Sequence, residues 1–267
     1  YERYEEYSPA FAAEFGYNGP GSWVILTKAI GKANLDSKDP TLALHQKAFD
    51  GMKKIAAGLK REFQNPPTEG HAWYFAAALV QARAVGIGLK HFRSLYERCS
   101  GTILWQFNDM WPVLSWAVLD HTGFRKLAWH AMKSAYQPRA ISIGRVDQGA
   151  QLTIINDSAN TWQDEFKVTL IDIVGNIVKQ HRLPIELNPF YVNQCNWITK
   201  SECNDVLTSS EWRIQGVSHS ISEGTFFTTL KLHLNTPGIT VAANQQVSGV
   251  DFNVIPTDAN KQETLIA

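Results

Sequence analysis

The chain has 267 residues, enough for two domains of ordinary size. Its 25 Lys and Arg balance 25 Asp and Glu, which argues against a nucleic-acid surface or an acidic tail. Three cysteines, Cys99, Cys195 and Cys203, give no disulfide framework, and no run is read as long enough for a membrane span.

The first informative stretch is Phe11-Ala12-Ala13-Glu14-Phe15-Gly16-Tyr17, an apolar run that reads as a buried strand with one carboxylate inside it. A buried carboxylate must be hydrogen-bonded, paired or in use. Asn18-Gly19-Pro20-Gly21 is a turn, and Ser22 is placed to cap a short helix over 23–30. Residues 31–40 are polar and end in Asp39-Pro40. His45, Ala48, Phe49, Met52, Ile55, Ala56, Leu59 and Phe63 then recur at helical spacing. They predict one amphipathic helix of about twenty residues, broken by Asn65-Pro66-Pro67. A second helix over 70–97 is apolar on more of its surface and therefore more buried. Thr102-Ile103-Leu104-Trp105-Gln106-Phe107 is a second continuous apolar strand, followed by Asn108-Asp109-Met110-Trp111-Pro112. Residues 116–119 are extended, 120–123 turn, and a helix over 125–136 is stopped by Pro138.

From Ile141 the period changes to two. Seven strands are predicted, at 141–146, 150–156, 164–173, 177–186, 192–200, 211–220 and 224–233. Val174-Gly175-Asn176 is a hairpin turn. Such a series suggests an immunoglobulin-like β-sandwich. Two further strand-like pieces, 239–242 and 250–255, are too few for a domain. The expected fold class is α/β plus all-β: the C-terminal part of a (β/α)8 TIM barrel over 1–140, an immunoglobulin-like sandwich over 141–233, and a linker with the start of a further β region over 234–267. A closed barrel needs eight parallel strands, and this chain offers two. Tyr1 is no natural start, so the remaining strands are expected upstream of it.

Ala13-Glu14-Phe15-Gly16 followed by Gly19-Pro20, and then Trp105-Gln106-Phe107-Asn108-Asp109-Met110-Trp111-Pro112, resemble motifs of glycoside hydrolase family 2, in its β-mannosidase branch. The resemblance begins at Tyr4-Glu5-Glu6-Tyr7. It passes through Gln81-Ala82-Arg83-Ala84, His91-Phe92-Arg93-Ser94, Asp120-His121-Thr122-Gly123 and Lys126, and fades after Pro138.

The resemblance implies a retaining exo-β-glycosidase working by double displacement between two carboxyl groups. Glu14 matches the nucleophile. The acid/base lies in an Asn-Glu pair on an earlier barrel strand, and this chain has no Asn-Glu dipeptide. The chain alone is therefore expected to be inactive. Trp105 matches the tryptophan that ends the last barrel strand and floors the sugar subsite, and the bond to Gln106 is expected to be cis. Asn108 and Asp109 either bond sugar hydroxyls or brace the loop. Trp23 and Trp73 read as core, and Trp111 as packing more than touching substrate. The histidines show no metal spacing and read as satisfied structural groups. No cofactor is expected. The expected partners are a β-mannoside oligosaccharide and the missing N-terminal part of the same enzyme, with no nucleic acid and no membrane. Two alternatives stand beside this: another family 2 β-glycosidase (β-galactosidase, β-glucuronidase or exo-β-glucosaminidase), or a non-catalytic carbohydrate-binding fragment.

Overall fold

A computed structural model of the chain describes residues 2–146, 149–171, 176–199, 211–222 and 225–235. The first apolar stretch forms β1 (Ala12–Phe15) and the second β2 (Thr102–Leu104). They pair in parallel, with Ala12 opposite Thr102 and Phe15 opposite Leu104. A parallel pair needs a long crossover, supplied here by α1 (Trp23–Ile30), α2 (Pro40–Leu44), α3 (Gly51–Glu62) and α4 (Gly70–Ser94). Gly16 is a requirement of this pairing. A Cβ on it would lie 1.9 Å from the Trp105 carbonyl oxygen, so no larger residue can follow Phe15 without moving β2.

α4 is the spine. Trp73, Ala76, Ala77 and Val80 on its first half pack with Leu26, Leu42, Ile55 and Leu59 of α1–α3. Val85, Leu89 and Phe92 on its second half pack with β1 and with α5 (Leu127–Ala135). Burial on most sides fits its all-round apolar sequence, except for a stripe of His71, Ala72, Phe75, Leu79 and Arg83 that is exposed. One sequence expectation is corrected here: by length and composition α4 is long and apolar enough to cross a membrane, although 61% of that stretch is buried inside the protein.

The predicted long helix from His45 is two shorter helices. Between α2 and α3 the chain turns, and Asp50 adopts φ 54°. The cause is tertiary pairing. The Lys47 N–H donates to Leu114 O at 3.0 Å and the Leu114 N–H to His45 O at 2.7 Å. Those bonds take backbone groups a continuous helix would use. Phe49, counted on the apolar face, is 89% exposed. Ser22 precedes α1 as expected, but its side chain makes no capping bond; instead its N–H donates to Asp120 Oδ2 at 3.2 Å.

All seven later strands form: β3 (Arg139–Val146), β4 (Gly149–Asn156), β5 (Trp162–Ile171), β6 (Ile177–Leu187), β7 (Tyr191–Thr199), β8 (Glu211–Ser222) and β9 (Thr225–Asn235). Every pairing among them is antiparallel. β3, β4 and β7 make one sheet. β5 pairs with β6 and also runs beside β9, which pairs with β8. Leu152 and Ile154 of β4 meet Trp162, Phe166 and Val168 of β5 and Ile185 and Leu187 of β6, so the strands enclose a core of their own. Val174 and Gly175 of the predicted turn, and the pieces at 239–242 and 250–255, lie outside the described residues.

Arg93, near the end of α4, joins the two regions. Its guanidinium donates to the Ala135 carbonyl at the end of α5 and to Asp157 Oδ2, at 2.5 Å, after β4. The Asp157 N–H donates to Pro138 O at 2.7 Å.

Asp120 organises the turn before α5. Burial alone would raise its carboxyl, but it accepts from the Thr122 hydroxyl and N–H and from the N–H groups of Phe124 and Ser22, and these hold it below the usual carboxylate range. A depressed carboxyl stabilises the fold above its unfolded value, near 3.8. That contribution is lost as pH falls through the lower folded value. Asp120→Asn is therefore expected to cost about 1 kcal/mol at neutral pH, the difference between bonds to a charged and a neutral acceptor. The gap to wild type should close as pH drops below 3.8. Urea unfolding at stepped pH checks this, and a gap that stays constant into acid contradicts it.

Candidate active site

The β1–β2 sheet has one covered face and one open face. Ala12, Phe15 and Leu104 pack into the core under α4 and α5. On β2 alternate residues point the other way, with Ile103 52% and Trp105 46% exposed; on β1 a register shift between Ala12 and Phe15 breaks strict alternation and leaves Ala13 and Glu14 both exposed. Both strands were expected to be buried throughout; each is buried on its helix side only. The Trp105 N–H donates to Phe15 O at 2.8 Å, which carries the pairing one residue past β2. Glu14 and Trp105 thus stand at neighbouring strand ends. The Trp105–Gln106 peptide bond is cis, as expected. The Glu14 carboxylate has no hydrogen bond or ion pair among the described residues. Glu14 is exposed, so the expectation of a buried carboxylate is corrected, and with it the demand for a partner that burial would make.

Beyond Trp105 the loop is held by polar groups. Asp109 is 2% exposed. Its Oδ2 accepts from Lys126 Nζ at 2.9 Å and its Oδ1 from the Ser115 hydroxyl at 2.5 Å. Asp109 therefore braces the loop, one of the two roles left open for it: it is buried and both carboxylate oxygens are engaged. Burial pushes the Lys126 ammonium below its ordinary value, with the Asp109 charge pulling the other way. Asn108 is exposed and donates through Nδ2 to the Asp109 carbonyl at 3.1 Å. Trp111 rests against His45, with ring centroids 5.3 Å apart. Trp73 is core as expected, while Trp23 is half-buried and stacked on His71 at 3.8 Å.

Several site-building residues were missed as such by the sequence reading. Gln81 is fully buried and directs Nε2 to the carbonyls of Tyr17, Ser115 and Ala117 at 2.9, 3.1 and 3.3 Å. A lone amide within an apolar helix was its legible signal. The Tyr4 hydroxyl donates to Gly16 O at 2.7 Å, and burial pushes that phenol up to about 12. Lys47 donates to Gln106 Oε1 at 3.1 Å, a contact no sequence spacing announces. Of the histidines, His45 and His91 bond the carbonyls of Pro112 and Tyr7. His121 departs from the expectation, because its buried Nδ1 has no partner among the described residues. Among the described residues no three His, Cys, Asp or Glu are grouped to hold a metal. An open cleft of about 520 Å³ lies over residues 43–53, and neither Glu14 nor Trp105 lines it.

The buried pair makes a stability prediction. Removing one partner of such a pair leaves the other charge uncompensated, which costs about 3–5 kcal/mol. Asp109→Ala should destabilise by that order in denaturant unfolding. The apolar double variant Asp109→Leu/Lys126→Met should recover a substantial part of the loss. Equal destabilisation by both variants would contradict the account of Lys126 as an orphaned charge.

No family model matches the chain. It is 28% identical over 149 residues to a β-mannosidase B of Emericella nidulans, covering 54% of this chain and 18% of that protein. It is 30% identical over 107 residues to a β-mannosidase B of Aspergillus niger, covering 39% and 13%. The chain thus spans less than a fifth of the length of the curated relatives it matches. Among solved structures it resembles a β-D-mannosidase from Dictyoglomus thermophilum, with TM-score 0.65 and 19% identity over 74% of this chain and 24% of that one. It also resembles an exo-chitosanase from Amycolatopsis orientalis, with TM-score 0.62 and 15% identity over 85% and 27%. At such identities these two likenesses speak for the fold alone. With the sequence relatives beside them, the chain is similar to β-mannosidases, and so to glycoside hydrolases.

Proposed function

We propose that this chain supplies the nucleophile and the sugar platform of a retaining exo-β-glycosidase that removes terminal β-mannose. The observation that carries the reading is the unpartnered Glu14 carboxylate on the open face of β1, beside Trp105 at the end of β2. A carboxylate with no partner among the described residues is free to attack an anomeric carbon. An indole half exposed at the next strand end offers a flat apolar face to the C–H side of a sugar ring.

The reaction runs as a double displacement. Glu14 attacks the anomeric carbon as the glycosidic bond breaks, and a second carboxylic acid protonates the departing oxygen. That second group, now a carboxylate, takes a proton from water, which displaces Glu14 and regenerates both groups. The second carboxyl belongs to the part of the protein outside this chain, as do the barrel strands that cover the Glu14 face. The curated relatives are more than five times the length they share with it. Asn108 is proposed as a sugar-hydroxyl partner, since its side chain is exposed beside the platform. The likeness to an exo-chitosanase favours one second reading, an exo-β-glucosaminidase with the same nucleophile.

The test uses the full-length protein and aryl β-glycosides of mannose, glucosamine, galactose and glucuronic acid. The β-mannoside should be cleaved fastest, with retention of anomeric configuration by NMR. Glu14→Gln keeps the shape and removes the charge, and should lower kcat by on the order of a thousandfold or more while the protein stays folded. Preference for the glucosaminide would select the second reading. Activity of Glu14→Gln within a few-fold of wild type would overturn the nucleophile assignment.

A further inference from the structure

The loop between α2 and α3 is tied to both strand ends of the proposed site. Gln46 Oε1 accepts from Asn18 Nδ2 at 3.1 Å and from the Ala48 N–H at 3.0 Å. Asn18 is 2% exposed and lies four residues past Glu14 on the chain that leaves β1. On the other side, Lys47 N–H and His45 O bond both backbone groups of Leu114, and His45 Nδ1 bonds Pro112 O at 2.6 Å. The backbone on either side of Lys47 is therefore fixed, and the side chain projects from an anchored root.

From that root the Lys47 ammonium reaches Gln106 Oε1 at 3.1 Å, and Gln106 passes the contact on by donating from Nε2 to Asn108 O at 2.8 Å. Lys47 makes no ion pair among the described residues. Its charge also lies near enough to Lys126 to disfavour that ammonium. Its placement is thus not explained as a salt bridge. What it does hold is the side chain that shares a peptide bond with Trp105.

We propose that Lys47 is a positioning residue that acts through Gln106, setting Trp105 and Asn108 in register against the Glu14 face. The inference rests on the reading of Trp105 as the sugar platform. A charged donor makes a stronger bond than a neutral one. Because Lys47 is exposed, its effect is modest and weakens with salt.

The test compares Lys47→Met, Lys47→Arg, Gln106→Leu and the Lys47→Met/Gln106→Leu double variant in the full-length protein. Three readouts are taken: Tm, kcat and KM on the cleaved glycoside, and amide hydrogen exchange over residues 105–109. Lys47→Met should leave Tm unchanged, speed exchange in that segment, and lower kcat/KM by roughly 3- to 10-fold, the worth of one partly exposed bond. The loss should fall on KM more than on kcat. Lys47→Arg should restore both signals. The double variant should be no worse than the worse of the two singles, because both cut one relay. Additive losses, unchanged exchange, or faster exchange with kcat/KM untouched would each overturn the proposal. A wild-type protein that cleaves no glycoside sinks the active-site reading instead, and the exchange arm then decides alone whether Lys47 orders the segment.

Discussion

One buried side chain, Gln81, sets the geometry on which the candidate site depends. Its NH2 group faces three carbonyls from two separate stretches of chain, Tyr17 on one and Ser115 and Ala117 on the other. The first stretch leaves β1 just past Glu14 and the second returns from the loop after Trp105. An amide in a dry core makes its bonds or costs about 1–3 kcal/mol per group left unmade. The two strand ends are therefore locked to the middle of α4. The lock also dictates sequence at a distance: a Cβ on Gly19 would stand 2.4 Å from Gln81 Oε1, so the position opposite must be glycine. That oxygen has no partner among the described residues, and its desolvation cost is set against the contacts of the NH2 group, whose two hydrogens are shared among three carbonyls. Gln81 stands where the two core clusters of α4 meet. Its position along the helix is thus fixed by packing on both sides.

The loop after β2 works on the same principle. Past Leu104 there is no further regular strand before α5, only single bridges such as Gly19 with Ser115, Gln46 with Leu114 and Asn108 with Leu119. Isolated bridges do not cooperate as a ladder does, so side chains carry the order. Asp109, Ser115 and Lys126 form one buried unit, and Asp120 caps the next turn. An ion pair is a costly way to fill a core. It does, however, fix where Asp109 sits, and with it the reach of the segment that starts at Trp105. The Asp109 carboxylate is thereby spent on structure, whereas Glu14 has no partner among the described residues.

Much of this was legible in the sequence, for identifiable reasons. Strand period and turn residues placed all seven later strands; β5 and β6 show why, with Trp162, Phe166, Val168, Ile185 and Leu187 alternating into one core. β1 and β2 were legible as a parallel pair because each ends in polar groups with helices between. Three things were not legible. The break between α2 and α3 is imposed by Leu114, nearly seventy residues away, against a local pattern that favours helix. The role of Asp109 depended on Lys126, seventeen residues on, with no periodic relation between them. The burial of β1 and β2 was misjudged because an apolar run does not say which of its faces has a neighbour.

That last misjudgement bears on function. Parallel sheets are ordinarily covered on both faces, yet here helices cover one and the other presents Ile103, Trp105 and Phe107 together with a carboxylate. Each strand also has an outer edge with no partner among the described residues, and unpaired edges template further pairing. A self-sufficient sugar-binding sheet would satisfy its edges and keep only a shallow apolar platform. A barrel interior would look as this face does, with inward side chains waiting for those of other strands. Closing such a barrel would desolvate Glu14, and an ionised carboxylate tolerates that only if donors meet it. No such donor reaches Glu14 from this chain's described residues. On the proposed function, strands that closed a barrel here would bring the groups that meet the Glu14 carboxylate, and the same strands would carry the acid/base carboxyl. On that proposal, closure of the fold and completion of the catalytic pair would be one event, supplied by the same strands.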